Sequence, residues 1–352
     1  MTEDRKPDKI KATPARQDAA HRPLVAVDDG FAQMKIAYGD PSLTTPPTLD
    51  HLRSSACFGA ISDLSGGAVS AYETDNGRTV MTVSDQVVGE TTEFDGFHTS
   101  SLNRILMAHS LVHAGLGGQD VDLWAALPVT DFYTARSELN RELIDQKIGN
   151  LKIPVLPRNP DEHCARYHSI NIGCQAVSAI IDYAVDDDLT QRDVCMDRVA
   201  VVDIGGRTTD IAYVINGGQF IAERSGTQNI GVLEVHSRLA TLICEKYRLS
   251  ANKFSSSVLD AAMRSGKIKV FGKEAEIVDL IEKAVSEPAS RLATMIRQKI
   301  GDGAELDTIL FVGGGAKLFK AAAETFVNAH IPENPEFSNV RGLYKYAKSR
   351  AT

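Results

Sequence analysis

Residues 27–38, V-D-D-G-F-A-Q-M-K-I-A-Y, return 175 positions later as residues 202–213, V-D-I-G-G-R-T-T-D-I-A-Y, with six identities in twelve positions. The chain therefore contains an internal duplication. Each copy ends an apolar run (Leu24 to Val27; Val199 to Val202), turns at Asp-x-Gly and re-enters an apolar run, the pattern of a tight β-hairpin. Alone, D-D-G is a hairpin turn and no more. Two matching hairpins facing one cleft would surround a triphosphate, each giving backbone N–H groups to phosphate oxygens and one Asp to a metal.

The residue chemistry of each copy refines this reading. In the first, Asp28 and Asp29 precede Gly30, whose place in the turn suits positive φ and close approach of phosphate, and Lys35 sits on the return strand. In the second, Gly205, Gly206, Arg207, Thr208 and Thr209 supply amides and hydroxyls, and Asp210 adds a carboxylate. Asp28 matches Asp203, so both are assigned, with Asp210, to a hydrated Mg²⁺ reached through water. Lys35 occupies the place of Asp210, where a cation could pair with a β-phosphate. V-G-G-G-A at 312–316 is a strand-to-helix turn without side chains, where Gly313, Gly314 and Gly315 would let a nucleoside lie against the backbone. S-G-T-Q-N-I-G (225–231) leads into a helix at Gly231 that either places N–H groups beside the nucleotide or simply opens the helix.

A chain of 352 residues is long enough for two cores. Its 43% hydrophobic and 24% charged content is ordinary for a soluble globular protein. The cysteines Cys57, Cys164, Cys174, Cys195 and Cys244 are scattered without a C-x-x-C, which fits free thiols in a reducing cytoplasm. No apolar run reaches membrane-spanning length, and the first 23 residues, with six Lys/Arg and four Asp/Glu, read as a disordered solvated tail. The net charge of −8 argues against direct nucleic-acid binding, so any link to DNA runs through an adaptor.

Between the motifs, residues 40–93 read as a small β-containing subdomain, with alternation at V-M-T-V (80–83) and Val87-Val88. Leu102, Ile105, Leu106, His109 and Val112 recur at helical spacing, and 121–127 is a strand candidate. L-K-I-P-V-L-P (151–157) is expected to complete the first sheet, Ile172–Ala184 to cross between domains as a helix, and Gly231–Tyr247 to form another. A further amphipathic helix covers 277–296, which Pro288 should kink or restart. His109 and His113 lack the Glu of a zinc helix, Trp124 reads as core, and Asp186–Asp188 as a solvated loop.

Taken in order, V-D-D-G with its following Lys, L-P-V-T-D-F-Y (127–133), V-V-D-I-G-G-R-T-T-D-I, V-G-G-G-A and R-G-L-Y (341–344) resemble the ParM/StbA family of bacterial actin-like plasmid-segregation ATPases over roughly residues 24–346. The resemblance implies an α/β actin-like fold of two lobes, each a duplicated ribonuclease-H-like unit with a small inserted subdomain: lobe I over 24–168 (subdomain about 40–98) and lobe II over 169–352 (subdomain about 248–275). It implies ATP or GTP with Mg²⁺ in the cleft, head-to-tail filaments, hydrolysis that destabilises them, and a DNA-bound adaptor of the ParR type. By position, Asp28, Gly30 and Lys35 would form the first phosphate loop, Asp203, Gly205, Gly206, Thr208 and Asp210 the second, and Gly313–Gly315 the adenosine loop. The family places a water-positioning Glu before a Ser-Ile-x-x-Gly segment; here Arg158 follows V-L-P and His168 precedes Ser169. His168, Glu162 and Gln175 are the substitutes, with His168 preferred. A small-molecule kinase of the same fold and a slowly hydrolysing actin-like scaffold are the rival readings.

Overall fold

The structure is a computed structural model that describes residues 22–61, 70–84, 89–250 and 254–351. The expected tail, apart from Arg22 and Pro23, and Val87-Val88 lie outside the described residues.

In the first lobe, β1 (Leu24–Asp29) pairs antiparallel with β2 (Gln33–Gly39), which pairs with β3 (Thr48–Arg53). β4 (Ala56–Phe58), β5 (Ala71–Thr74) and β6 (Thr79–Val83) make a separate small sheet. Then come α1 (Ser101–His113), whose first turn is capped by Ser100 accepting from the Asn103 amide, β7 (Asp120–Leu127), α2 (Val129–Phe132) and α3 (Arg141–Leu151). β8 (Leu156–Pro157) and β9 (Arg166–Cys174) close the lobe. The main sheet runs β3-β2-β1-β7-β9, with β1, β7 and β9 parallel. β1 is buried along its whole length, which its run of Leu, Val, Ala and Val requires of a central strand covered on both faces.

The second lobe repeats the plan. α4 (Val177–Ala184) leads to β10 (Arg198–Ile204) and β11 (Thr209–Ile215), followed by β12 (Gln219–Phe220), β13 (Gly226–Gln228), α5 (Val232–Tyr247) and α6 (Ser256–Ser265). The hairpin β14 (Lys267–Val270) and β15 (Lys273–Glu276) precedes α7 (Val278–Ile300), and β16 (Thr308–Val312), α8 (Lys320–Ala323), β17 (Ala329–His330) and α9 (Ser338–Ala351) end the chain. Its sheet runs β12-β11-β10-β16-β17 with β10, β16 and β17 parallel. The duplication extends to register: Asp28 faces Lys35 across the first hairpin, and Asp203 faces Asp210 across the second.

Four expectations are corrected. Residues 172–174, expected to open the crossing helix, end strand β9 instead, because residues 166–174 find an open edge beside β7; the helix is only Val177–Ala184. Leu156–Pro157 joins the small sheet at the edge of β5, where a proline without N–H can sit. The small sheet starts after Arg53, since residues 48–53 belong to the main sheet. Pro288 does not restart a helix: it lies buried inside α7, which runs unbroken from Val278 to Ile300.

The lobe boundary differs as well. α4 covers the second sheet through Ala179 and Ile180 against Val199 and Val201, whereas α9 returns to the first through Val340, Leu343 and Tyr344 against Leu24 and Ala26. The two helices pack closely where Gly342 meets the Ser178 carbonyl, and Asp182 takes Arg341 and Lys345. These exchanged helices tie the lobes together behind the cleft.

Candidate nucleotide cleft

The parallel strands of both sheets end at a shared cleft of about 560 Å³. Crevices outside the carboxyl ends of parallel strands are where open α/β sheets bind ligands. Into it project the hairpin loops 30–33 and 205–208, closed by Gly30 N to Gln33 O (3.1 Å) and Gly205 N to Thr208 O (2.8 Å). Gly30 does not take positive φ; it is needed because a Cβ there would lie 3.0 Å from Gln33 O. The loop tips meet, with a Cβ on Gly206 falling 3.0 Å from Ala32 N. Among the described residues, the amides of Phe31, Ala32, Gly206 and Arg207 donate no hydrogen bond within the protein, so four N–H groups stand uncommitted at the tips.

The side chains behind the loops are charged and buried. Asp28 accepts from Lys35 Nζ at 2.9 Å and from Gln175 Nε2 at 2.7 Å. Burial alone would lower Lys35, but Asp28 and Asp203 hold it above the usual lysine range. In the second hairpin the corresponding pair is two carboxylates. Burial and Asp28 push Asp203 up to about 6, and burial, with Asp203 and Asp131 adding, pushes Asp210 up to about 7 despite the Thr227 hydrogen bond. This is a site short of positive charge. A divalent cation fits that shortage.

Gln175 directly follows β9 and lines the cleft, and Ala176 after it has φ 62°. A positive φ on alanine persists only where surroundings enforce it. Here Asn339 of α9 accepts from the Ala176 amide at 2.9 Å and donates to Asp203 Oδ2 at 2.7 Å, linking the strained turn to the second hairpin.

Of the residues expected to bind, Asp28, Gly30, Lys35, Gln175, Asp203, Gly205, Gly206, Thr208, Asp210 and Gly314 line the cleft. The others do not. Asp29 points to the opposite face of β1, as strand alternation demands, and receives Lys147, Asn103 and His98 on one oxygen. Arg207 reaches Asp95 and lies over the Phe31 ring. Thr209 is buried and donates to Ile230 O at 2.8 Å. Gly231 packs on Gly206, and the first amides of α5, Val232 and Leu233, donate to Gly205 O and Gly206 O, so this helix start holds the loop. Gly313, at φ 84°, and Gly315 brace Ile204, leaving Gly314 toward the space. His168 is exposed near Asp120 at the far end of β9, six residues before Cys174, and Glu162 pairs with Asn159 in the preceding loop; the preference for His168 gives way to Gln175.

The sequence reading missed the far walls. Arg53 of β3 pairs with Asp260 of α6 across the cleft, and Asp260 also lies 2.7 Å from His236 Nε2 on α5. Met263, Arg264, Lys317 and Leu318 line the cleft as well, and His98 lies against Phe31 of the first loop. These come from segments with no shared motif.

Residues 24–180 match the family model of the plasmid segregation protein ParM, N-terminal, and residues 201–325 match that of the archaeal actin homologue MreB-like, C-terminal. No curated protein matches the chain by sequence. Among solved structures, Ta0583, an archaeal actin homolog in complex with ADP, is 18% identical with TM-score 0.71, covering 93% of this chain and 99% of that one. The 15-stranded ParM filament from Clostridium botulinum is 16% identical with TM-score 0.71, over 94% and 99%. Bacillus thuringiensis ParM with ATP is 13% identical with TM-score 0.67, over 94% and 99%. The fold is that of the actin-like proteins, with residues 24–180 matching the ParM N-terminal domain and residues 201–325 the C-terminal domain of archaeal MreB-like homologues.

Proposed function

We propose that the chain is a nucleotide-dependent filament-forming ATPase that moves plasmid DNA through a DNA-bound adaptor of the ParR type. The observation that carries this is the pair of hairpins: uncommitted amides at both tips, Lys35 behind one and the undercompensated pair Asp203 and Asp210 behind the other. Neighbours of the same fold are described with ADP, with ATP and as a filament, which supports nucleotide and polymer as its partners.

Phosphoryl transfer to water needs positioning and charge neutralisation more than covalent chemistry. The loop amides would hold phosphate oxygens, Lys35 the β-phosphate, and Gly314 with Leu318 and Met263 would receive the nucleoside of ATP or GTP. Asp28, Asp203 and Asp210 would hold Mg²⁺ through its waters, and the ion would neutralise phosphate charge. Gln175, anchored on Asp28, would orient the attacking water with its remaining oxygen. Nucleotide touching both lobes favours the closed form, and a closed form that alone fits the next subunit couples binding to assembly. Head-to-tail contacts that do not close give filaments.

No helix of the described residues is long and apolar enough to cross a membrane, and all five cysteines are unpaired, as suits a reducing cytoplasm. Replacing Asp203 by Ala should abolish Mg-dependent hydrolysis. Unchanged hydrolysis by that variant would refute the site.

A further inference from the structure

Against Phe31 of the first loop lies a histidine that phosphate binding does not explain. His98, in the single turn Phe97–Thr99 before α1, lines the cleft and is 5% exposed. Its Nδ1 lies 3.1 Å from Asp29 Oδ2, which also accepts from Asn103 Nδ2 at 2.7 Å and from Lys147 Nζ. A carboxylate so placed only accepts, so it sets a hydrogen on Nδ1. The ring is held between Phe31 and Phe97, with centroids 5.3 Å from each. Asp131 of α2 and Lys147 of α3 are the other charged groups around it. What remains is Nε2, buried and without a hydrogen-bond partner among the described residues.

An imidazole oriented by a buried carboxylate, lining a ligand cleft and keeping its second nitrogen unpaired, is the arrangement of a general base. Gln175 cannot fill that role, because a carboxamide orients water but does not take its proton. We propose that His98 accepts the proton of the attacking water through Nε2, an inference that rests on nucleotide hydrolysis in this cleft. The water oxygen bonds to the γ-phosphorus, and the bond to the β,γ-bridging oxygen breaks with its electron pair left on the nucleoside diphosphate. The water's proton passes to Nε2, giving an imidazolium paired with Asp29, and leaves with phosphate or to solvent. Gln175 thus orients the nucleophile and His98 receives its proton.

Single-turnover phosphate release from Mg-ATP and nucleotide affinity, measured on the full chain, test this. His98→Asn can still donate to Asp29 but offers no basic nitrogen; it should bind nucleotide as the parent does and release phosphate roughly 10²–10⁴-fold more slowly. His98→Ala should regain part of the rate when imidazole is added, in proportion to neutral imidazole as pH varies. Parental rates in His98→Asn would overturn the assignment. So would failure of imidazole to act on a folded, nucleotide-binding His98→Ala. A parent chain that neither binds nor hydrolyses nucleotide would instead overturn the underlying reading of the site.

Discussion

Asp29 offers the sharpest separation between a residue that binds a ligand and one that holds the fold. Its carboxylate and the Lys147 ammonium are both wholly buried, and Asn103 and His98 complete the cluster. Burial alone would raise Asp29, yet Lys147 and His98 bring it down to about 2. Asp29→Asn removes the charge and leaves Lys147 buried without its counter-ion, which should cost about 3–5 kcal/mol. The lowered carboxylate points the same way, to a contribution on the order of 2 kcal/mol from the ionised form. Because the folded value lies below the ordinary 3.8, this contribution is complete above that pH and is lost as pH falls through about 2. Denaturant unfolding of nucleotide-free protein at constant m measures the loss, and Asp29→Asn with Lys147→Met should recover most of it by removing both charges. A loss under about 1 kcal/mol together with abolished nucleotide binding would refute the reasoning and return Asp29 to the phosphates.

Further outcomes follow from the same geometry. Asp210→Asn should stabilise the nucleotide-free protein at pH 8, by up to about 4 kcal/mol, and not at pH 4. The sign follows from a folded value raised to about 7, which favours the protonated form and weakens the fold as pH rises from 3.8 to 7; equal shifts in melting temperature at both pH values would contradict it. The difference between variant and parent is the quantity to read, because His109 and His236, both brought down to about 4 chiefly by burial, change stability in the opposite sense between about 4 and 6.5. Arg53→Ala opens the Arg53–Asp260 contact across the cleft and should speed nucleotide dissociation roughly 5- to 30-fold, a cost of about 1–2 kcal/mol for a half-buried pair, read by stopped-flow displacement. Gln175→Ala should lower the hydrolysis rate about 10²-fold while filaments still form and outlast those of the parent, seen as slower decay of light scattering.

The duplication made the fold legible. Six identities between the hairpins located both central strands, and the structure repeats even their register, Asp28 to Lys35 and Asp203 to Asp210. Two of the misplaced residues, Asp29 and Thr209, follow from the alternation of side chains along a strand. Asp28 and Asp29 are neighbours on β1 and cannot both face the cleft, and Thr209 and Asp210 divide in the same way; applying that parity to the motif would have separated them. His168 takes preference by its place before Ser169, where the resembled family has its Glu, whereas Ser169, Asn171 and Gly173 alternating with Ile170, Ile172 and Cys174 mark a strand whose end delivers Gln175. Arg53, His98, His236 and Asp260 were not readable at all. They come from four separate segments, and only the closed tertiary structure brings them to one space.

Light scattering and phosphate release followed together, across protein concentrations with Mg-ATP and separately Mg-GTP, test the central claim most directly. A critical concentration, with phosphate appearing only above it, is the predicted result. Hydrolysis linear in protein without scattering, or turnover that awaits an added metabolite, would contradict it and make the cleft that of a kinase.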